Sequence, residues 1–157
     1  MVSYSQTIHN RIDELSRQAN ESSIIDAISK HERILKIIGS HLQDTELGAL
    51  DYTDAEYELA RLKLVRAADY GDDDDHGTDP ALPTEHRIQF CEEAIGHLTN
   101  CYSMRKEIFE ARPNHKKVRD ANYLKFKASL LLDQLKRLHS YEIWAARKHP
   151  YFHAAVA

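Results

Sequence analysis

Residues 115–148 read HKKVRDANYLKFKASLLLDQLKRLHSYEIWAARK, and this stretch decides the fold class of the chain. Small and apolar side chains recur in it at a seven-residue repeat for more than three heptads. They are Ala121, Leu124, Ala128, Leu131, Leu135, Leu138 and Ala145. Apolar residues at this spacing share one face of an α-helix. The stretch therefore predicts one long helix, of roughly 50 Å at 1.5 Å per residue.

The segment before it carries a similar seam and ends at a proline. Residues 85–111 are predicted to be helical, with Thr84 as the capping residue. Pro113 ends this helix because proline cannot continue the hydrogen-bond ladder, and Asn114 is expected to cap the next helix. A connection this short predicts that the two helices form an antiparallel hairpin. The seam of the first helix consists of Ile88, Cys91, Ile95, Leu98, Tyr102 and Phe109, interrupted by Arg105.

Three shorter helices are predicted before the hairpin, at residues 5–19, 23–42 and 54–70. Ser22 and Ser23 are the two candidate caps for the second helix. Thr53 followed by Glu56 has the spacing of a capping box, which predicts that the third helix starts directly after Thr53. Residues 43–52 are then expected to be a connection.

These segments predict an all-α protein, a bundle of about five helices in a single domain over residues 1–157. Its expected parts are helices 1 to 3 in 1–70, an acidic mobile loop at 71–84, the long hairpin at 85–148 and a tail at 149–157. The 5 glycines and 4 prolines agree with long helices, which need few turn residues.

Composition excludes several classes. No run approaches the roughly 18 apolar residues of a membrane span, and the start of the chain does not resemble a secretory signal. Cys91 and Cys101 are placed on one helix, about 15 Å apart, so they cannot form a disulfide with each other. Cytoplasmic localisation and core packing of both thiols are expected.

Charge is unevenly distributed along the chain. Residues 1–104 hold 20 Asp/Glu against 9 Lys/Arg, whereas residues 105–157 hold 5 against 12. A basic tip is predicted around the turn of the hairpin, where it could bind nucleic-acid phosphates by releasing counterions or face the acidic residues of the same chain. Its members are Arg105, Lys106, Arg112, Lys116, Lys117, Arg119, Lys125 and Lys127.

A second apolar stripe lies on the last helix and exceeds what helices 1 to 3 are expected to cover. It predicts a seam between two copies of the chain. Its residues are Tyr123, Phe126, Leu130, Tyr141 and Trp144.

No complete catalytic or metal-binding pattern is found. The acidic run Asp72–Asp75 lacks the glutamate that closes an EF-hand loop. His149 and His153 are four apart, but Pro150 separates them. Arg147 and His153 have the spacing of the Arg and His pair of HEPN ribonucleases, a spacing short enough to arise by chance. His31, alone on an apolar seam, is expected to be a hydrogen-bonded core residue, and no catalytic residue, cofactor or metal is predicted.

The leading hypothesis is a non-enzymatic helical protein-interaction module, a homodimer that could regulate or inhibit a macromolecular partner. The first alternative is a nucleic-acid-binding protein that uses the basic tip. The second is a hydrolase or metalloprotein that depends on histidine. The sequence leaves the partner unidentified, and it leaves open whether the chain is an enzyme while favouring that it is not.

Overall fold

A computed structural model describes residues 6–21, 23–40, 46–68 and 82–148. These residues form five helices and no strand, which confirms the predicted all-α bundle. The helices are α1 (Gln6–Asn20), α2 (Ile24–Gly39), α3 (Glu46–Ala68), α4 (Thr84–Ile108) and α5 (Lys116–Lys148). The tail at 149–157 and the acidic loop up to residue 81 lie outside the described residues.

Each helix packs against the next one along the chain, and the predicted antiparallel hairpin of α4 and α5 is confirmed. The thiol of Cys91 donates to the carbonyl oxygen of Ala128 at 3.2 Å, near the middle of both helices. At the open end of the hairpin, the Thr84 hydroxyl donates to Glu142 Oε1 at 2.7 Å. Glu142 interrupts the apolar seam of α5, and this hydrogen bond explains its presence there.

The predicted start of the third helix is wrong. α3 begins at Glu46, so most of the expected connection at 43–52 is helical and Thr53 lies inside the helix. Thr53 is fully buried, and its hydroxyl donates to the carbonyl oxygen of Leu50 at 2.9 Å. Asp51 bonds to His9 of α1, and Tyr52 packs against apolar residues of α1 and α2. Thr53 accepts a hydrogen bond from Arg105 of α4. These contacts stabilise the segment as helix, and a local capping pattern contains no information on them.

Of the two candidate caps of α2, Ser23 is the one that caps the helix, whereas the cap predicted for α4 is wrong. Ser23 Oγ accepts from the backbone N–H of Asp26 at 3.3 Å, as a capping hydroxyl does. At the start of α4 the capping position is Pro83, which offers no side-chain hydrogen bond. Thr84 already lies in the first helical turn, where its hydroxyl is used by the contact with α5.

α3 is the central helix of the bundle. It packs against α2 on one side and α4 on the other, and it also contacts α5. Because α3 is covered on several sides, some of its polar side chains are buried together with its apolar ones. One core cluster joins α3 to the hairpin and is formed by Ala60, Leu64, Ala67, Cys91, Ala94, Leu98, Ala128 and Leu135.

Candidate interaction surface

The outward face of α5 carries a row of large side chains that nothing in the described part of the chain covers. The five side chains predicted as a dimer seam are 48% to 63% exposed. We call the row that contains them the outer stripe, and it comprises Tyr123, Phe126, Leu130, Asp133, Arg137, Tyr141 and Trp144.

Helix geometry explains why these side chains share one face. The spacings along the stripe are three or four residues, which keep side chains in line on a helix that turns about 100° per residue. Ala121, Ala128 and Leu135 lie roughly half a turn away and are buried against the rest of the bundle. One face of α5 therefore packs into the core of the bundle, and a second face with apolar side chains is exposed to solvent.

The stripe has an apolar and aromatic segment at each end and charges between them. Tyr141 and Trp144 stack at a tilt, with their ring centroids 5.9 Å apart. At the other end, Lys127 Nζ lies 5.3 Å above the centre of the Tyr123 ring. The apolar positions were predicted from the sequence, whereas the charged ones, Asp133 and Arg137, were not. Both are exposed, and their position in the same three- and four-residue spacing was the signal that could have found them.

The basic tip is divided between solvent and the interior. Arg105 is buried and bonds to Asp54 of α3, and Lys117 Nζ lies 2.6 Å from the same carboxylate. These two cations are therefore paired with an acidic residue of the same chain, which was one of the two alternatives for the basic tip. Lys125 is half-buried. The exposed members are Lys106, Arg112, Lys116, Arg119 and Lys127.

An aromatic stack that the sequence analysis missed shapes the turn at the tip. The rings of Phe109 and His115 are stacked with centroids 3.8 Å apart, and the Arg112 guanidinium lies over Phe109. His115 also takes the capping role predicted for Asn114, because its Nδ1 accepts from the backbone N–H of Lys117 at 3.1 Å. Desolvation and the surrounding cations, Arg112 first, lower the pKa of His115, which favours the neutral ring that accepts this bond.

Two histidines of the described helices, His31 and His97, contact other groups of the chain. His31 is buried and its Nδ1 bonds to the carbonyl oxygen of Ala27 at 3.0 Å, as predicted for a core histidine. His97 Nδ1 lies 3.5 Å from the buried carboxylate of Glu56. Among the residues that the structure describes, no group of three or more His, Cys, Asp or Glu side chains could hold a metal ion. The pairs involving His153, and the run Asp72–Asp75, lie outside the described residues.

A cavity of about 350 Å³ lies beside α1 and α3 and contains several carboxylates. All four already have cationic or histidine partners. Asp51 bonds to His9 at 2.5 Å, and the same histidine lies 3.4 Å from Asp13. Asp54 bonds to Lys117, and Glu58 is paired with Arg61. The carboxylate and histidine residues that line the cavity are Asp13, His31, Asp51, Asp54 and Glu58.

No protein-family model, no curated protein and no solved structure matches the chain. Within the described ranges, no helix has both the length and the apolar character needed to cross a membrane.

Proposed function

We propose that this chain is a non-enzymatic protein-interaction module that forms a homodimer through the outer stripe of α5. The observation that carries the proposal is the exposure of five large apolar and aromatic side chains in one row. Exposed apolar patches that adjoin polar residues, as the two ends of this stripe do, mark interaction sites on soluble domains. Aromatic side chains are enriched in the cores of protein interfaces and supply much of their binding energy.

The charges of the stripe support a second copy as the occupant. Asp133 and Arg137 are opposite in sign and one helical turn apart. A surface that contains both charges can meet a copy of itself with each charge opposite the other sign. A two-fold interface requires this kind of self-complementarity, since the same patch is used by both subunits.

Light scattering coupled to size-exclusion chromatography tests the proposal at micromolar concentration, at low and moderate salt. The parent chain is expected to elute with twice its 18.1 kDa mass. Replacing Phe126 and Trp144 together by alanine is expected to give a folded monomer, because both side chains are more than half exposed and contribute little to the core.

The matched control removes two exposed apolar side chains away from the stripe, Ile25 of α2 and Leu47 of α3. The variant with alanine at both positions is expected to remain a dimer. A parent chain that is monomeric at about 100 µM, a concentration that would populate any dimer of micromolar Kd, contradicts the proposal. A dimer that survives the double substitution in the stripe does so as well.

A second candidate function, nucleic-acid binding, is favoured by one observation. Lys127 of the basic tip lies over the Tyr123 ring, and Tyr123 and Phe126 are 63% and 60% exposed. Single-stranded nucleic acids bind where cations contact the backbone and aromatic rings stack on bases.

Fluorescence anisotropy with a labelled single-stranded oligonucleotide at low salt tests this candidate. Replacing Lys116 and Arg119 by glutamate is expected to abolish binding, whereas the same change at Arg33 and Lys36 of α2 is the control with equal net charge. Lys117 is left intact because it holds Asp54. A parent chain without salt-sensitive binding, or equal losses in both variants, removes this candidate.

A further inference from the structure

We propose that the two copies of α5 pair antiparallel, with the two-fold axis level with residue 135, so that Asp133 of each copy faces Arg137 of the other. This arrangement rests on the proposed function and adds the partner's orientation and register to it. It also defines which side chain of one copy meets which of the other.

The order of side chains along the stripe selects the register. Asp133 and Arg137 are each two positions from residue 135, and Phe126 and Trp144 are each nine positions from it. An axis at that level therefore aligns both pairs at once. Each Phe126 faces a Trp144 at the ends of the contact, and each Asp133 faces an Arg137 at its centre. The aromatic ends are separated by about 27 Å of helix.

Charge favours the antiparallel orientation over the parallel one. In a parallel pair, each side chain lies level with its own copy, so Asp133 would face Asp133 and Arg137 would face Arg137. Like charges directly opposite each other destabilise a helix pair, whereas complementary charges set its orientation. The antiparallel pair contains two complementary contacts related by the symmetry axis.

Both charged groups are available for this contact. Asp133 and Arg137 are exposed, and neither forms an ion pair within 4 Å among the residues that the structure describes. Leu135, at the level of the proposed axis, points the other way and is buried in the core. Substitutions at the two charged positions therefore change the outer surface and leave the packing of the bundle unchanged.

Two single charge reversals and their mixture test the arrangement. Asp133→Arg gives a chain with two cations at the centre of the stripe, and Arg137→Asp gives a chain with two anions. Each variant alone is expected to dimerise at least about tenfold more weakly than the parent, since like charges then face each other. An equimolar mixture is expected to form a heterodimer with the affinity of the parent dimer. Sedimentation velocity measures all three, and helical circular dichroism and thermal unfolding verify that each chain is folded.

The outcomes separate the arrangement from the proposed function. A monomeric parent overturns both. If the parent is a dimer and each variant dimerises as tightly as the parent, the arrangement alone is overturned. That result is expected of a parallel pair, because like charges face each other in the parallel parent as well as in the variants. A mixture that stays monomeric, or one that binds far more tightly than the parent, overturns it too.

Discussion

The guanidinium of Arg105 donates to the carboxylate of Asp54 at 2.9 Å, although the two residues are 51 positions apart in the chain. The same guanidinium donates to Thr53 Oγ1 at 3.2 Å and to the carbonyl oxygen of Lys117 at 2.9 Å. Arg105 thus joins α3, α4 and the start of α5 at one end of the bundle. Its side chain is almost entirely buried there, with the Tyr57 ring 5.0 Å from the guanidinium carbon.

Arg105→Ala is expected to destabilise the fold by roughly 2–4 kcal/mol. The substitution leaves a cavity and breaks the hydrogen bonds from the guanidinium to Thr53, Asp54 and Lys117. Loss of a buried hydrogen-bond network costs more than the roughly 1 kcal/mol of a typical substitution. Urea unfolding followed by circular dichroism measures the change as a lower midpoint.

Arg17→Ala is the matched control for that experiment. Arg17 also forms two ion pairs, with Glu14 and Glu21, but it lies exposed on α1. Its loss is expected to leave the unfolding midpoint unchanged, because exposed pairs contribute little. Equal midpoints for the parent and Arg105→Ala would show that the buried contacts do not stabilise the bundle.

The hairpin could be predicted from sequence because its evidence is local. The seven-residue seam of α5, the proline at position 113 and the short turn each lie within a few residues of the feature they determine. Helix ends predicted from this evidence differ from the observed ones by at most three residues.

The start of α3 and the role of Arg105 could not be predicted because they depend on distant parts of the chain. Thr53 has the local pattern of a helix cap. In the structure it is buried, its hydroxyl accepts from Arg105 of α4, and the helix continues on both sides of it. The sequence shows a charged residue at a seam position of α4, which indicates a buried partner. It does not show that the partner is Asp54, since no spacing rule connects residues so far apart.

The outer stripe was half predictable. Apolar spacing identified the aromatic ends, since that periodicity does not depend on what the face contacts. The charged centre was missed because Asp133 and Arg137 are individually typical of a solvated helix face. They become informative only when the opposite face of α5 is known to be the buried one.

Both cysteines are expected to resist thiol reagents in the folded protein. Burial raises the pKa of Cys91 and of Cys101 to about 11, and each thiol donates to a backbone carbonyl oxygen. At about pH 8, such thiols are almost entirely protonated, and the thiolate is the reactive form. Release of thionitrobenzoate from Ellman's reagent is expected to be at least about 100-fold slower in buffer than in urea. Rapid reaction of one thiol in buffer would indicate that α4 opens locally, and hydrogen exchange would then locate the opening.

Stability is expected to fall as pH rises above neutrality, through the contact between His9 of α1 and Asp51 of α3. The hydrogen bond to Asp51 raises the pKa of His9, the charges of Asp51 and Asp13 add to the effect, and desolvation opposes it. A raised folded-state pKa means that the stabilisation is complete below the unfolded pKa of about 6.5 and is lost as pH rises through the folded-state value. The difference in unfolding midpoint between the parent and His9→Gln should therefore be larger at about pH 6 than at about pH 9.

Asp51→Asn is the companion variant for this titration. It removes the charge that faces His9. When His9→Gln is made in the Asp51→Asn chain, its effect on the unfolding midpoint should therefore depend little on pH. A parent and His9→Gln whose midpoints differ equally at both pH values would exclude the ion pair as a source of pH dependence.

Trp144, the only tryptophan of the chain, is expected to report on dimer formation directly. Its ring is 52% exposed and lies at one end of the outer stripe. In the proposed pairing it is covered by Phe126 of the other copy, so dilution should shift its emission to longer wavelength and make acrylamide quenching more efficient. The Asp133→Arg chain, which changes no aromatic residue, should undergo the same change of spectrum at a concentration at least about tenfold higher than the parent. If light scattering shows a dimer while the Trp144 spectrum stays that of an exposed indole at every concentration, the contact between copies lies elsewhere. The exposed apolar side chains of Ile25 and Leu47 would then be the next surfaces to substitute.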